Sequence, residues 1–478
     1  MASCGLSEPK GKKPALAIVV LAAGEGKRFK STLPKVLHPL SGMPLVGHVL
    51  AAIEPLDASK TVLVIGRGAD DVKAKAKLLT KKKLAFALQE QQIGTADAAK
   101  VGDEALGKFS GDVLVVPGDS PLLTAETLER LVDHHRATKA AATILTAELE
   151  DPTGYGRIVR DRQGSVERVV EETDATPEEK KIKEANASVW VFDRSALRSA
   201  LTKIDRGNAQ KEFYLTDVVG VLREKGEAVE AMQTQEPTEV LGVNSRVQLA
   251  DVTTLMRRKI AERHMLDGVT IIDPSTTYID STVTIGPDTV IHPLTHLHGN
   301  TAVGKGCEIG PNVKLVDTGV GDGATVTNAV AKEAQIGPGA DVGPFTYLRP
   351  GAVLKEGAKA GAYVEIKKSV VGRRSKVPHL SYIGDAEIGD NVNIGAGTIT
   401  CNYDGETGKK SKTVIGDDVL IGSDTMLVAP VKVGDGAVTG AGSVVSRDVP
   451  PNQVAIGAPA RPVRKRKPRS TKKGDHKK

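Results

Sequence analysis

The chain has little cysteine, few aromatic residues and no long apolar run, and each shortage closes a class of protein. Cys4, Cys307 and Cys401 are the three cysteines among 478 residues. Isolated and in no CxxC spacing, they predict neither a disulfide framework nor a zinc site. Aromatic side chains make up 3% of the chain against 50 glycines. That balance argues against a thick sandwich core and suits thin layers joined by many tight turns. No apolar stretch approaches the length needed to cross a bilayer, so no membrane span is expected. Lys10, Lys12 and Lys13 before the apolar run 15–23 imitate a signal peptide, but the run is short, β-branched and passes straight into Gly24-Glu25-Gly26-Lys27-Arg28. It reads as the first strand of a cytoplasmic protein.

Basic charge is confined to one end. The net charge is +6, but residues 461–478 hold ten Lys/Arg and one Asp, or +9, which leaves −3 for the rest. A short basic run with Pro and Ser reads as a solvated, disordered end, and no nucleic-acid partner is expected from it.

What the chain does contain is a period. Ile285, Ile291, Leu297, Val303, Ile309 and Leu315 recur every six residues, as do Ile336, Val342, Leu348, Leu354, Ala360 and Ile366. Further runs at Val371, Val377 and Ile383, at Ile388, Ile394 and Thr400, and at Ile415, Ile421, Leu427 and Val433 continue it. Six is a multiple of the strand period of two, so these side chains share one face of extended chain, whereas a helix would scatter them. Gly, Asn and Asp beside the apolar positions supply the corners. Such hexads predict a β-solenoid, in which each coil buries its stripe against its neighbours.

Residues 15–243 follow another rule. Short apolar runs at 15–21, 61–65, 113–116, 142–145 and 188–192 alternate with helical segments such as 70–79 and 124–135, which predicts an α/β, mostly parallel sheet. Ligands of such sheets sit beyond the carboxyl ends of the strands. After the first strand come Leu21-Ala22-Ala23-Gly24-Glu25-Gly26-Lys27-Arg28 and then Pro34-Lys35. The glycines let backbone N–H groups approach phosphates, and Arg28 and Lys35 add positive charge. Phe29 replaces the third glycine of the dinucleotide fingerprint, and no GK[ST] is present, so neither a GxGxxG site nor a P-loop is predicted. The strand 113–116 ends in Pro117-Gly118-Asp119, an Asp that either caps a turn or holds a metal; beside a polyphosphate site Mg²⁺ is the ion its oxygens suit. Gln89, Gly94, Thr95, Gly156, Glu171, Asn186 and Asn244 are, by pattern alone, turn residues. Ser245 and Gln248 form a capping box ahead of Val252, Met256 and Ile260, the start of a linker helix.

The hexads resemble the left-handed parallel β-helix of hexapeptide-repeat acyltransferases, three hexads per coil, and residues 21–35 resemble the signature of sugar-1-phosphate nucleotidyltransferases. With residues 89–95, Gly118-Asp119, Gly154-Tyr155-Gly156-Arg157, Asn186, Val243-Asn244 and the block 384–405, the chain from about 14 to 460 is similar to a bacterial bifunctional family. That family joins an N-acetylglucosamine-1-phosphate uridyltransferase to a glucosamine-1-phosphate acetyltransferase.

The resemblance implies a Rossmann-like nucleotidyltransferase domain at 1–246, a helical linker at 247–267, a left-handed parallel β-helix at 268–461 and a disordered tail at 462–478. It implies that Leu21, Ala22, Ala23, Gly24, Arg28, Lys35, Gln89, Gly94, Thr95 and Gly118 bind UTP. Asp119 and Asn244 would hold Mg²⁺, and Gly156, Glu171, Asn186 and Asn244 the N-acetylated sugar. In the β-helix, Arg349, Lys367, Tyr382 and Asn393 match the glucosamine-1-phosphate site and His379 the general base. Ala396, Asn402, Tyr403, Ser423 and Ala441 match acetyl-CoA contacts, with the Tyr403 N–H on the developing oxyanion. A homotrimer with acetyltransferase sites between solenoids is also implied.

The chain departs from the family pattern in places. The loop 404–412 is longer, which leaves Lys410 open as either a sugar or a CoA contact; Ala458 stands where an Arg is common, with Arg461 nearby as a substitute; and Pro117 replaces a common aromatic. Cys401 beside Asn402 reads as a packed small residue. Two other readings stay open at this point. One is a nucleotidyltransferase with a purely structural solenoid, although a spacer has no reason to contain Arg349, Lys367, His379 and Tyr382. The other is a non-catalytic assembly subunit, which would be expected to lack Lys35, Asp119 or the glycines.

Overall fold

The computed structural model describes residues 14–465; Cys4, the run 10–13 and the tail beyond Lys465 lie outside them. The chain divides into two compact units, one up to Met256 and one from Arg257.

The first unit is a mixed sheet whose main path runs Val229–Gln233, Ala142–Glu148, Glu184–Asp193, Asp112–Pro117, Leu16–Ala22, Ala58–Ile65, Leu84–Leu88. Leu16–Ala22 pairs parallel with both of its neighbours, and Glu184–Asp193 runs antiparallel to both of its own. Every residue of the first strand except Leu21 is buried. Leu16, Ile18, Val20 and Ala22 enter the core on one face of the sheet, while Ala17 and Val19 enter the core on the other. A strand covered on both faces reads as an unbroken apolar run for that reason. The helices Ala69–Leu79 and Ala125–Thr138 fall where the periodicity predicts them.

The second unit is a β-helix of three sheets with 12, 10 and 9 strands, all parallel except the last strand of the largest. Ile291 pairs over Ile309, Ile309 over Val326 and Val326 over Val342, so a coil takes 16 to 18 residues (309 minus 291, 326 minus 309, 342 minus 326). The hexad stripe is buried from Ile291 to Val433, and only Ile285, at the start, is half exposed. Two residues before each stripe position stands a second buried layer of small side chains, among them Thr289, Thr295, Ser375, Ser381 and Thr425. Their hydroxyls donate to backbone carbonyls, as Thr289 to Gly304 O at 2.8 Å and Ser381 to His379 O at 2.7 Å. A coil this thin has room for one large aliphatic and one small residue per side, and the hydrogen bond cancels the cost of burying the hydroxyl.

The long loop is a true insertion. Ile394 pairs with Ile421, 27 residues on, whereas Leu420 pairs with Val438, 18 on; the excess of nine equals residues 404–412. Lys410 bridges back to Tyr403, so the insertion folds on itself. One expectation is corrected at the carboxyl end. Residues 462–465, expected to be disordered, belong to the strand Arg461–Lys465, antiparallel to Gln453–Ile456. The last coil leaves a free sheet edge, and a cationic strand folded back on it blunts that edge. The rest of the predicted tail lies outside the described residues.

The helix Arg246–Leu266 begins in the first unit, where Val252 is buried, and ends in the second, where Ile260, Ala261 and His264 are buried. In that second half the Arg257 guanidinium lies 3.5 Å over the Tyr278 ring and donates to Ser275 O and Thr277 O.

Candidate active sites

Strand order puts Leu21 and Pro117 side by side at the carboxyl edge of the first sheet, and the Gly118 N–H donates to Leu21 O at 2.8 Å. The loops that leave there deliver Lys35 and Asp119 to one point. The Lys35 ammonium is bonded to an Asp119 carboxylate oxygen and to Asn244 Oδ1 at 3.0 Å, and the Gly24 backbone borders it. The two side chains are only 13% and 15% exposed, so their attraction is little screened. The Val243 N–H donates to Asp119 O at 2.9 Å, and the Asn244 N–H to Gln248 Oε1 at 2.8 Å. The capping box thus forms with a shift. Ser245 caps Gln248 at 3.2 Å, but Gln248 reaches back to Asn244 rather than to Ser245. Arg28, the other cation of the phosphate motif, stands exposed on the turn Lys27–Phe29.

Two further groups border this edge. Gln89 is buried and donates to Gly94 O at 3.2 Å and to Asp97 Oδ2 at 2.8 Å. Gly94 has φ +135°, and a Cβ there would lie 2.3 Å from Phe213 O, so only glycine fits. Thr95 Oγ1 accepts from the Leu215 N–H at 2.9 Å, and the next residue, Thr216, donates to Glu171 Oε1 at 3.0 Å. Glu171 in turn borders Gly156, whose carbonyl accepts from the Asn186 N–H at 2.8 Å. Burial, then the neighbouring Asp217 and Asp174, push the Glu171 carboxyl above the usual range. A register break between Asn186 and Trp190, with Ser188 at φ +58°, aims Asn186, whose side-chain oxygen accepts from the Ser188 N–H at 2.9 Å. That bulge had no signal in the sequence.

In the solenoid, Arg349 directly follows one strand of the 10-stranded sheet and Lys367 ends the strand beside it, because Leu348 pairs with Ile366; Lys367 pairs in turn with Gly384. Arg349 holds Glu365 at 2.7 Å. The space over Gly384 is filled by the Tyr382 hydroxyl and the Asn402 amide, 2.4 and 2.8 Å from where a Cβ would stand. Asn402 also donates to Asp385. The inserted loop brings Lys410 to this group, and the Lys367 ammonium beside it holds its pKa below the usual lysine value. Two like charges so close suit a dianion placed between them. His379 ends a strand of the 12-stranded sheet and is exposed, three residues before Tyr382, which begins the next strand. Asn393 begins a strand of the next coil. Ala396, Ser423 and Ala441 occupy equivalent corners of three successive coils: Ala396 O accepts from the Asp424 N–H at 2.7 Å and Ser423 O from the Gly442 N–H at 2.8 Å. Tyr403 is exposed.

Sequence reasoning missed an apolar ridge beside His379. Phe345, Tyr363 and Leu380 are about 60% exposed and occupy the same left-handed corner of three consecutive coils, with φ +56°, +57° and +45°. The Phe345 and Tyr363 rings stack at 5.2 Å. Bulky residues are rare in that conformation. The hint in the sequence was apolar residues where Asn312, Asn328 and Gly397 stand in other coils.

Comparison with known proteins bears on both units. A family model described as nucleotidyl transferase matches residues 17–237, and one for the bacterial transferase hexapeptide (six repeats) matches 282–316 and 412–447. The chain is 48% identical over 446 residues to the bifunctional protein GlmU of Mycobacterium tuberculosis, covering 92% of this chain and 90% of that one. It is 50% identical to those of Mycolicibacterium vanbaalenii (92% and 90% covered) and Streptomyces coelicolor (93% and 92% covered). The chain belongs to the GlmU family.

It is accordingly a bifunctional enzyme of UDP-N-acetylglucosamine synthesis, a nucleotidyltransferase joined to a hexapeptide-repeat acyltransferase. A structural spacer or a non-catalytic subunit is set aside by that membership. Among the described residues no helix is long and apolar enough to cross a membrane. None of them forms a cluster of three or more His, Cys, Asp or Glu able to hold a metal. In this GlmU-family chain the cation test therefore falls on Asp119 and Asn244. Their two oxygens already converge on one positive charge, the Lys35 ammonium. Two protein oxygens fit Mg²⁺, which keeps most of its shell for water and phosphate oxygens.

Proposed function

We propose that the first unit transfers a uridylyl group from UTP to N-acetylglucosamine-1-phosphate with Mg²⁺, and that the solenoid first makes that sugar by acetylating glucosamine-1-phosphate from acetyl-CoA. The observation that carries the first half is the meeting of Lys35, Asp119 and Asn244 at the carboxyl edge of the sheet. Mg²⁺ bound by Asp119 and Asn244 would neutralise triphosphate charge. Lys35 moves its ammonium from Asp119 to the phosphates, and the backbone of residues 21–24 with Gln89, Gly94 and Thr95 holds the nucleotide, Arg28 adding charge from the rim. Gly118 borders the nucleotide, and Gly156, Glu171, Asn186 and Asn244 orient the sugar. Its phosphate oxygen attacks the α-phosphorus, the bond to the β-phosphate oxygen breaks, and pyrophosphate leaves. Positioning and charge carry this chemistry without a covalent intermediate.

For acetylation, Arg349, Lys367 and Lys410 grip the sugar phosphate, with Tyr382 and Asn393 on the ring. The sugar amine attacks the thioester carbonyl, His379 takes the proton, and the C–S bond breaks to give the CoA thiolate, to which the proton passes. The Tyr403 N–H stabilises the oxyanion, and Ala396, Asn402, Ser423 and Ala441 line the CoA path. Arg461, across from Ile456 on the final hairpin, offers the cation that Ala458 lacks. The enzyme works as a homotrimer, with each acetyl site closed by a neighbouring solenoid. Support comes from the exposure of His379 and Tyr403 and from the apolar ridge alongside. Reactions that draw on UTP and acetyl-CoA belong with their cytoplasmic pools, where we place the enzyme.

The test is one assay of purified protein with glucosamine-1-phosphate, acetyl-CoA, UTP and Mg²⁺, omitting each in turn. Omission of UTP or Mg²⁺ should leave acetyl transfer running and stop pyrophosphate release. If omitting acetyl-CoA left UDP-sugar formation from glucosamine-1-phosphate undiminished, the proposed order would be wrong.

A further inference from the structure

Beneath the nucleotide site lies a third buried cluster, separate from the two cores that cover the sheet: Phe29, Leu40, Leu45, Leu122, Val243 and Val252. Phe29 comes from the loop between Gly24 and Lys35, Leu122 follows Asp119 by three residues, and Val243 directly precedes Asn244. Each segment that carries Lys35, Asp119 or Asn244 thus sends one large apolar side chain to the same place. Phe29 is tied there by packing and by its backbone. It is 1% exposed, its ring lies 4.4 Å from that of His38, and its carbonyl accepts from Arg246 Nε at 3.1 Å. Burial, with Arg246 close by, pushes His38 below the usual histidine pKa. Arg246 stands two residues after Asn244, so its hydrogen bond joins the phosphate loop to the segment bearing a candidate metal ligand. The residue that interrupts the dinucleotide fingerprint is the one on which the loop is seated.

We propose that Phe29, held by Arg246, is a positioning residue for uridylyl transfer, fixing the segments that carry Lys35, Asp119 and Asn244 relative to one another while its own side chain stays away from substrate. The inference rests on the assignment of Lys35 and Asp119 to the nucleotide site. Truncating Phe29 opens a void under the loop, and a shift of about 1 Å in a charged group at a reacting phosphate costs on the order of a hundredfold in rate.

The experiment uses full-length Phe29→Ala, Phe29→Leu, Arg246→Ala and Lys35→Ala. Each is assayed for uridylyl transfer over a range of UTP and Mg²⁺ concentrations and for acetyl transfer in the same preparation. UTP binding with Mg²⁺ is measured by titration calorimetry. For Phe29→Ala, uridylyl kcat/KM should fall by about tenfold or more, UTP should bind more weakly, and half-maximal rate should need more Mg²⁺, with acetyl transfer within about twofold of wild type. Phe29→Leu, which refills the void, should recover most of the loss, and Arg246→Ala should shift the same readouts in the same direction. A Phe29→Ala protein that melts earlier yet keeps wild-type UTP affinity, Mg²⁺ dependence and kcat/KM overturns the proposal. Should that variant not fold, Arg246→Ala decides on the same readouts. Lys35→Ala separates two failures. Full uridylyl transfer without Lys35 would overturn the site assignment itself, whereas loss in Lys35→Ala with normal Phe29→Ala would overturn the positioning role alone.

Discussion

In the first unit, side chains from positions 35, 119 and 244 meet around a single ammonium that is largely enclosed, whereas in the solenoid His379 and Tyr403 stand exposed and Lys367 and Tyr382 half exposed. The difference follows from how each architecture presents its residues. A parallel sheet collects its loops at one edge, so residues far apart in sequence converge within one chain. A solenoid sets residues in register on flat faces, one coil above the next, and a flat face encloses nothing. Concavity then has to come from a second surface. The ridge of Phe345, Tyr363 and Leu380, apolar and exposed, is what such a surface would cover.

Four substitutions break or sharpen this contrast. The largest effect is expected of Asp119→Ala, which should lower uridylyl transfer by about 10²–10³ through loss of charge organised around the phosphates. Acetyl transfer, measured in the same tube, should be unchanged. Next comes the solenoid core, where Ile366 is fully buried. Ile366→Ala should cost about 2–5 kcal/mol in denaturant unfolding of the solenoid, and a two-phase unfolding curve should show the nucleotide unit melting as before. A third change probes the flat face. Leu380→Asp should reduce acetyl transfer by about tenfold and make it depend on protein concentration, with sedimentation showing a smaller assembly and uridylyl transfer unaffected.

The smallest effect is electrostatic. Burial, helped by Asp205 and Asp174, raises the Asp217 carboxyl from 3.8 to about 6. Its proton is held more tightly in the folded state, so the penalty is absent below about pH 4, grows as pH rises to about 6 and is constant above. Asp217→Asn should therefore gain about 1 kcal/mol at about pH 7.5, after allowance for its half exposure, and nothing near pH 4. Melting temperatures at the two values give the comparison.

Local pattern carried much of the fold. The hexads at Ile291, Leu297 and Ile309 forecast buried stripe positions, and the apolar run before Gly24 forecast the first strand of the sheet. Both signals are periodic and need no knowledge of the rest of the chain. The small layer at Thr289, Thr295 and Ser375 was missed because a hydroxyl paired to a backbone carbonyl is polar in sequence and satisfied only in the coil. Site residues divide the same way. Gly94 could be marked from its motif, although the Phe213 backbone that demands a glycine there is 119 residues away. Lys35 and Asn244 are separated by 209 residues, and nothing in either segment announces that they share an ammonium. The third cluster under Phe29 escaped for that reason too. Each segment contributes only one or two of its members, so no window of sequence contains a pattern.

The central claim is that two chemistries occupy two separate sites, one closed within a chain and one open on a solenoid face. It is tested most directly by His379→Ala, with both half-reactions measured on one preparation. Acetyl transfer should fall by about 10²–10⁴ while uridylyl transfer from supplied N-acetylglucosamine-1-phosphate stays at the wild-type rate. Equal loss of both activities in a protein that remains folded, or acetyl transfer that persists without the imidazole, would contradict it.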